Sequence, residues 1–217
     1  MPPDERQVVA ASVTLGAAVG VFAIAFGVGS VAAGASVAQT CAMSLLVFTG
    51  ASQFLAVSVV SAGGSALSAF GGAVLLAARN AVYGLTMSRH LGGRLPTRLV
   101  AAQITIDEST AMATAQSTAV SRRRAFWITG GSVYVFWNLG TLIGALAGSA
   151  VDPEAFGLDA AFPAGFVAMV VPHLESRRGR AAALVGASVC LATIPVLPVG
   201  LPILVASVGV LFGVRRP

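Results

Sequence analysis

The stretch QVVAASVTLGAAVGVFAIAFGVGSVAAGASVAQTCAMSLLVFTGASQFLAVSVVSAGGSALSAFGGAVLLAA, from Gln7 to Ala78, contains no Asp, Glu, Lys or Arg. A soluble domain cannot build a solvated face from such a run, because ordinary domains draw about a quarter of their residues from the charged set. At a helical rise of about 1.5 Å per residue it would reach on the order of 100 Å if straight, about three crossings of a ~30 Å hydrocarbon layer. It must therefore fold back within a membrane. Arg6 and Ala33-Gly-Ala35 imitate a secretory leader with its cleavage site. The run, however, far exceeds the apolar core of about 7–15 residues that such leaders carry.

Beyond this stretch, apolar segments continue from Ala125 to Val151, from Ala160 to His173 and from Ala181 to Val214, the last folded back at Pro195, Pro198 and Pro202. Each is too long for a barrel strand. The expected fold is all-α: a polytopic membrane helical bundle with about eight hydrophobic segments. Residues 1–217 form one integral membrane domain, 56% hydrophobic and only 10% charged.

All 13 basic residues are arginine. Without lysine there is no Walker A lysine and no Schiff base to a pyridoxal or retinal cofactor, hence no ATP site on this chain. Energy has to come from a gradient or another chain. The net charge of +5 does not point to nucleic acid, because the arginines cluster beside apolar segments and not along an aromatic-studded surface. Cys41 and Cys190 read as small buried hydrophobes. His90 and His173 lack metal-ligand spacing, so no metal or other cofactor is expected. The absence of Gly-x-Ser-x-Gly and His-Glu-x-x-His patterns argues against an enzyme.

Arginines gather at Arg89 to Arg98, Arg122 to Arg124, Arg177 to Arg180 and Arg215-Arg216, whereas acidic residues dominate Asp152 to Asp159. The positive-inside rule then places the 1–7 and 215–217 tails in the cytoplasm and the Asp152 loop outside. Leu99 to Val120 conflicts with this if it crosses fully, because basic clusters flank both of its ends. A break near Asp107-Glu108-Ser109-Thr110, matched by one at Thr49-Gly50-Ala51-Ser52, would let residues 99–120 and 37–62 each return to their own side. Six full spans and two broken segments then satisfy every arginine cluster.

Arg79, Asp107 and Glu108 fall at membrane depth, where each costs about 2.5–3.5 kcal/mol unless paired or hydrated. They read either as an internal ion pair or as a lining for a substrate path, Arg79 facing a carboxylate and an acid facing an ammonium or proton. Arg79 could instead snorkel to the rim. Tyr83 shares its helix face and Asn80 its flank. Ser52 and Gln53 follow Gly50, a glycine that permits a break, and suit interhelical hydrogen bonds or ligand contact. Gly140, Gly144 and Gly148 form a smooth strip for a close helix neighbour, in this chain or a partner. Phe126 and Trp127 fit an interfacial aromatic belt. Phe48, Phe54, Leu76 and Val82 are available to an apolar ligand tail.

The ordered motifs resemble the AzlC-type large subunit of branched-chain amino acid exporters, the azaleucine-resistance family. They are Ala25-Phe-Gly27; Met43-Ser-Leu-Leu-Val-Phe-Thr-Gly-Ala-Ser-Gln-Phe54; Arg79-Asn80 with Tyr83-Gly84; Asp107-Glu108; Trp137-Asn-Leu-Gly-Thr141 with Gly144; Gly157-Leu-Asp159 with Phe162-Pro163; and Leu201-Pro202. The resemblance implies a prokaryotic plasma (inner) membrane exporter of leucine, isoleucine and valine, with methionine a further candidate. It also implies a small hydrophobic AzlD-type partner subunit and coupling to the proton gradient. Carried over by position, the path residues are Ser52, Gln53, Arg79, Asn80, Asp107, Glu108, Trp137, Asn138 and Thr141. Val21 stands where relatives often have proline, and Ala77 where they often have asparagine. A passive channel and a non-transporting membrane scaffold are the alternatives.

Overall fold

The computed structural model of the chain describes residues 3–150, 167 and 170–213, and these are helical with no strand. Among the described residues, three helices are long and apolar enough to cross a membrane: α1 (Pro3–Ala32), α4 (Ala66–Ser88) and α7 (Ala119–Gly148). Helices α1 and α7 lie parallel. Ser12 Oγ and Thr129 Oγ1 are 2.8 Å apart near their starts, Gly16 faces Ser132 and Gly20 faces Phe136, and near their ends Gly148 faces Val28. A methyl on Gly140 or Gly144 would collide with the backbone of Gly20 or Ile24. The neighbour of the glycine strip is thus α1 of the same chain, held by the close backbone approach that small residues allow in lipid.

Between these rods lie two broken segments. One comprises α2 (Val37–Leu46) and α3 (Ala51–Ser61), the other α5 (Leu95–Gln103) and α6 (Asp107–Thr114). The breaks come slightly earlier than the sequence indicates, at residues 47–50 and 104–106, so that Ser52, Asp107 and Glu108 lie in the first turns of the second half-helices. Carboxylates favour that position because the unsatisfied N–H groups of a helix start carry partial positive charge.

Helix α7 serves as a ruler for the direction of each half. Thr40 begins α2 beside Ser30, near the end of α1; Ser44 Oγ then meets Thr141 Oγ1 at 3.0 Å, and the Leu45 carbonyl accepts from Tyr134 Oη at 3.2 Å. Helix α2 therefore descends α7. Helix α4 also descends, from the turn after Ser61 to Met87, which packs with Phe126. Because α3 pairs antiparallel with α4, Leu55 beside Gly72 and Val59 on Ala69, α3 climbs back to the end where α2 began. The second segment mirrors this. Ala101 packs with Phe126, Ile104 lies against Gly130 and Ile106 packs with Val133, so α5 climbs. Then α6 returns to Gln116, whose carbonyl accepts from Arg122 at 2.9 Å. Both segments are re-entrant, they enter from opposite ends, and their tips meet between α1, α4 and α7.

The order helix, hairpin, helix, hairpin makes α1–α3 and α4–α6 two copies of one unit in opposite orientation, a construction common in secondary transporters. Arg6, Arg89, Arg94, Arg98 and Arg122 to Arg124 all lie at the end where α1 and α7 start. Helix α8 (Arg177–Thr193) puts Arg177 to Arg180 at that end too. Its direction follows from α9 (Leu201–Ala206), which starts where Gly200 lies against Ser68 and descends beside α4 and α8. Pro202 in the first turn of α9 and Gly200, with φ +91°, make the expected fold-back.

Two expectations fail: Phe126 is fully buried among Met87, Leu91, Ala101, Ile104 and Ala113, and not in a lipid-facing belt, and Cys41 and Cys190 are half-buried on their helices and not core residues. The Asp152 to Asp159 loop, the Phe162-Pro163 motif and the 215–217 tail lie outside the described residues. So does most of the Ala160 to His173 segment, apart from the 3₁₀ turn Val171–Glu175.

Candidate functional site

Exposed backbone at membrane depth survives only where protein or a water-filled cavity satisfies it, and each hairpin tip here carries its own solution. At the first tip the Leu45 carbonyl, orphaned at the end of α2, accepts from Gln103 Nε2 at 2.8 Å as well as from Tyr134. The Gly50 N–H donates to Gln53 Oε1 at 3.1 Å. Gly50 has φ +53° and ψ −88°, a conformation that a residue with a Cβ strongly resists. At the second tip the Ile106 N–H donates to Ser109 Oγ at 3.1 Å, and the Ser109 hydroxyl donates to the Ile104 carbonyl at 2.7 Å. Gln103 crosses from one hairpin to the other, so the tips also hold each other.

Where the tips meet there is a cavity of about 260 Å³, near the lower bound of the ~300–1,000 Å³ usual for small-molecule sites. Hairpin residues Phe48 to Ala51, Phe54, Ile106, Asp107 and Glu108 line it, together with Val19 and Phe22 of α1, Arg79 and Asn80 of α4, and Val133 and Trp137 of α7. Arg79 Nη1 lies 2.9 Å from Asp107 Oδ2, each side chain being a little over one-third exposed, at 35% and 39%. Arg79 therefore turns inward to Asp107 and does not snorkel to the rim, and Asp107, not Glu108, is its partner. Phe26, Phe54 and Trp137 form an aromatic cluster with ring centroids 5.7–6.1 Å apart.

The remaining candidates divide between the cavity wall and the packing behind it. Ser52 and Gln53 are 1% exposed and sit in the first turn of α3. Asn138 Nδ2 donates to the Tyr134 carbonyl within α7 at 2.8 Å, and Thr141 bonds Ser44 of α2. Ser52, Gln53, Asn138 and Thr141 do not line the cavity; they pack behind it. Of the proposed tail contacts, Phe48 and Phe54 line it, Leu76 packs with Leu55, Val59 and Ala69, and Val82 faces outward. Sequence reading missed Val19, Phe22, Ile106 and Val133. They are apolar residues in apolar runs, and no sequence signal separates a cavity wall from a lipid face.

Both half-helix N-termini open on the cavity, so two partially positive helix ends converge there. At α6 that charge is met by Asp107 and Glu108, whereas the first turn of α3 contains no acid. Ser52 Oγ, Gln53 Nε2, Thr110 Oγ1, Trp137 Nε1 and Asn138 Oδ1 are buried and have no hydrogen-bond partner among the described residues. Asp107 faces the Tyr83 hydroxyl as well as Arg79. Among the described residues, no three His, Cys, Asp or Glu side chains come together as a metal set.

A family model described as AzlC protein matches residues 14–151. The chain belongs to the AzlC family. The matched region contains α2 to α6, residues 14–32 of α1 and the whole of α7, hence every residue that lines the cavity. Inner membrane protein YgaZ of Escherichia coli K12 is 32% identical over 188 residues, covering 80% of this chain and 76% of the relative. A membrane protein of Archaeoglobus fulgidus is 33% identical over 168 residues, covering 76% and 74%. No solved structure matches the chain. With its membrane-length helices, this AzlC family member is a multi-pass membrane protein of a transport-related family.

Proposed function

We propose that the chain is the large subunit of a secondary transporter that exports leucine, isoleucine, valine and, as a further substrate, methionine. The observation that carries this reading is the cavity at mid-depth, where Arg79 and Asp107 face aromatic walls from Phe48, Phe54 and Trp137 and aliphatic ones from Val19, Ile106 and Val133. A zwitterion with an apolar tail needs both kinds of surface. Its binding between re-entrant half-helices is the arrangement by which secondary transporters place substrate near the bilayer midplane. The lack of any lysine leaves no P-loop on this chain and favours drive by the proton gradient. A small hydrophobic AzlD-type subunit is the proposed partner. The arginine-rich end is the cytoplasmic face of the prokaryotic inner membrane, which puts the N-terminus in the cytoplasm.

Cells expressing the pair should retain less labelled leucine than cells without it, and should extrude it against an outward-rising gradient. Equal retention would refute the export reading; efflux that only follows the gradient would mark a channel. A cysteine at Gly93 should react only with reagent supplied from the cytoplasmic side. Labelling from outside alone would invert the topology.

A further inference from the structure

We infer that Glu108 carries the counter-transported proton, and that its carboxylate holds one cation at a time, either that proton or the ammonium of the substrate. This rests on the export reading and adds to it the residue through which a proton gradient acts.

The cavity holds two carboxylates, Asp107 and Glu108, and one guanidinium, Arg79. Asp107 is already committed. Its Oδ2 lies 2.9 Å from Arg79 Nη1, its other oxygen is buried, and the Tyr83 hydroxyl faces it. A proton on Asp107 would leave Arg79 without a counterion at membrane depth, a costly state. Glu108 is in the opposite condition. It lines the same cavity, and no cation lies within salt-bridge distance of it among the described residues. Neither of its oxygens is both buried and without a partner.

The charged groups around Glu108 are Asp107 and Arg79, with Tyr83 turned to Asp107. The first hairpin, α1 and α7 bring no titratable side chain to the cavity. The start of α6 offsets part of the negative charge through its free N–H groups. One uncompensated carboxylate still remains among aromatic and aliphatic walls, where a lone charge is costly and a proton or a cationic ligand group removes the cost. In its ionised form Glu108 can accept the ammonium of an amino acid; as the acid it has no charge to offer. Protonation and substrate binding therefore exclude each other at this one carboxylate, which is what exchange of a proton for an amino acid requires. The O–H bond forms with a proton from water on the acid side and breaks to water on the other, and no further reactant is needed.

The test uses the full chain with its small partner subunit, reconstituted in vesicles. Wild-type vesicles with an acid interior should accumulate labelled leucine above the outside concentration. The KM for leucine exchange should rise as the medium is acidified, because the proton competes for Glu108. Glu108→Gln imitates the protonated acid permanently. It should still exchange labelled for unlabelled leucine at saturating concentration, with KM raised about 10-fold for the lost contact to a charged group. That KM should no longer depend on pH, and an acid interior should drive no accumulation. Glu108→Asp keeps a carboxyl and should retain both the pH dependence and the accumulation; it decides the question if the Gln variant does not fold or exchange. Accumulation driven by pH in Glu108→Gln, a wild-type KM that ignores pH, or a folded Glu108→Asp without pH dependence would overturn the assignment, while leucine exchange by the wild type leaves the export reading standing. A wild type that does not exchange leucine removes both.

Discussion

The hairpin α2–α3 turns at residues 47–50 and opens its second half with Ala51-Ser52-Gln53; the hairpin α5–α6 turns at residues 104–106 and opens with Asp107-Glu108-Ser109. Each uses its third helical residue, Gln53 or Ser109, to take the N–H of the residue before the helix, Gly50 or Ile106. At the cap itself they part, Gly50 with φ +53° and Ile106 with extended φ −130°. They part again in charge, one first turn neutral and the other holding two carboxylates. Backbone satisfaction at membrane depth is a requirement common to both tips, and both meet it with the same device. Charge is under no such requirement, so the difference between the tips is where function can reside.

The comparison breaks most completely at Asp107. In Asp107→Ala, Arg79 loses its counterion at membrane depth. Efflux should fall to background, and stability in detergent by about 1–2 kcal/mol, less than a fully buried pair would cost because the cavity partly hydrates this one. The double variant Arg79→Gln/Asp107→Asn should recover the thermal midpoint of the wild type and still not export leucine. Recovery of export would make the pair purely structural and equate the two tips.

Next comes the cap. Gly50→Val forces a β-branched residue into a left-handed conformation and should cost roughly 2–3 kcal/mol, with efflux reduced at least in proportion. At the matching position Ile106→Val trims one buried methylene from an ordinary extended residue and should cost about 1 kcal/mol. Equal costs in thermal unfolding would mean that the first tip does not need its glycine. A smaller effect is expected from Ser109→Ala, which removes a two-sided bond to Ile106 and Ile104 and should cost about 1 kcal/mol. If Asp107 keeps its place, affinity for leucine should hold.

Much of this contrast is readable from sequence because its signals are local. Gly50 ahead of Ser52-Gln53, and Asp107-Glu108 in an apolar context, mark both breaks, and the arginine bias is met when both segments return to their own side. The breaks fall slightly before their polar markers, because polar residues at a break and polar residues at a helix start look alike in a sequence. The dipole resolves them, drawing the carboxylates into the helix. Depth and azimuth were not readable. Phe126 follows an arginine cluster as an interfacial aromatic would, yet α5 and α6 cover it. Val19 and Phe22 face the cavity and Val82 faces outward, a distinction set by which helix lies opposite and not by any property of the residues.

Thr141 tests the boundary of the site with the smallest effect. It lies one turn from Trp137 on the same face of α7, and motif position made it a path residue. In the structure its hydroxyl bonds Ser44 and fastens α2 to α7, away from the cavity lining. Interhelical hydrogen bonds of this kind average only about 0.6 kcal/mol in membranes, because the separated helices find other partners. Thr141→Val keeps the side chain's volume and removes that bond, so the thermal midpoint should fall slightly while leucine affinity and efflux stay at wild-type values. The first hairpin has this tie to α7 at its entering half-helix, whereas its cavity-lining residues, Phe48 to Ala51 and Phe54, lie at and beyond the break. A Thr141→Val variant with normal stability and weakened leucine binding would therefore extend the substrate path across the break into α2.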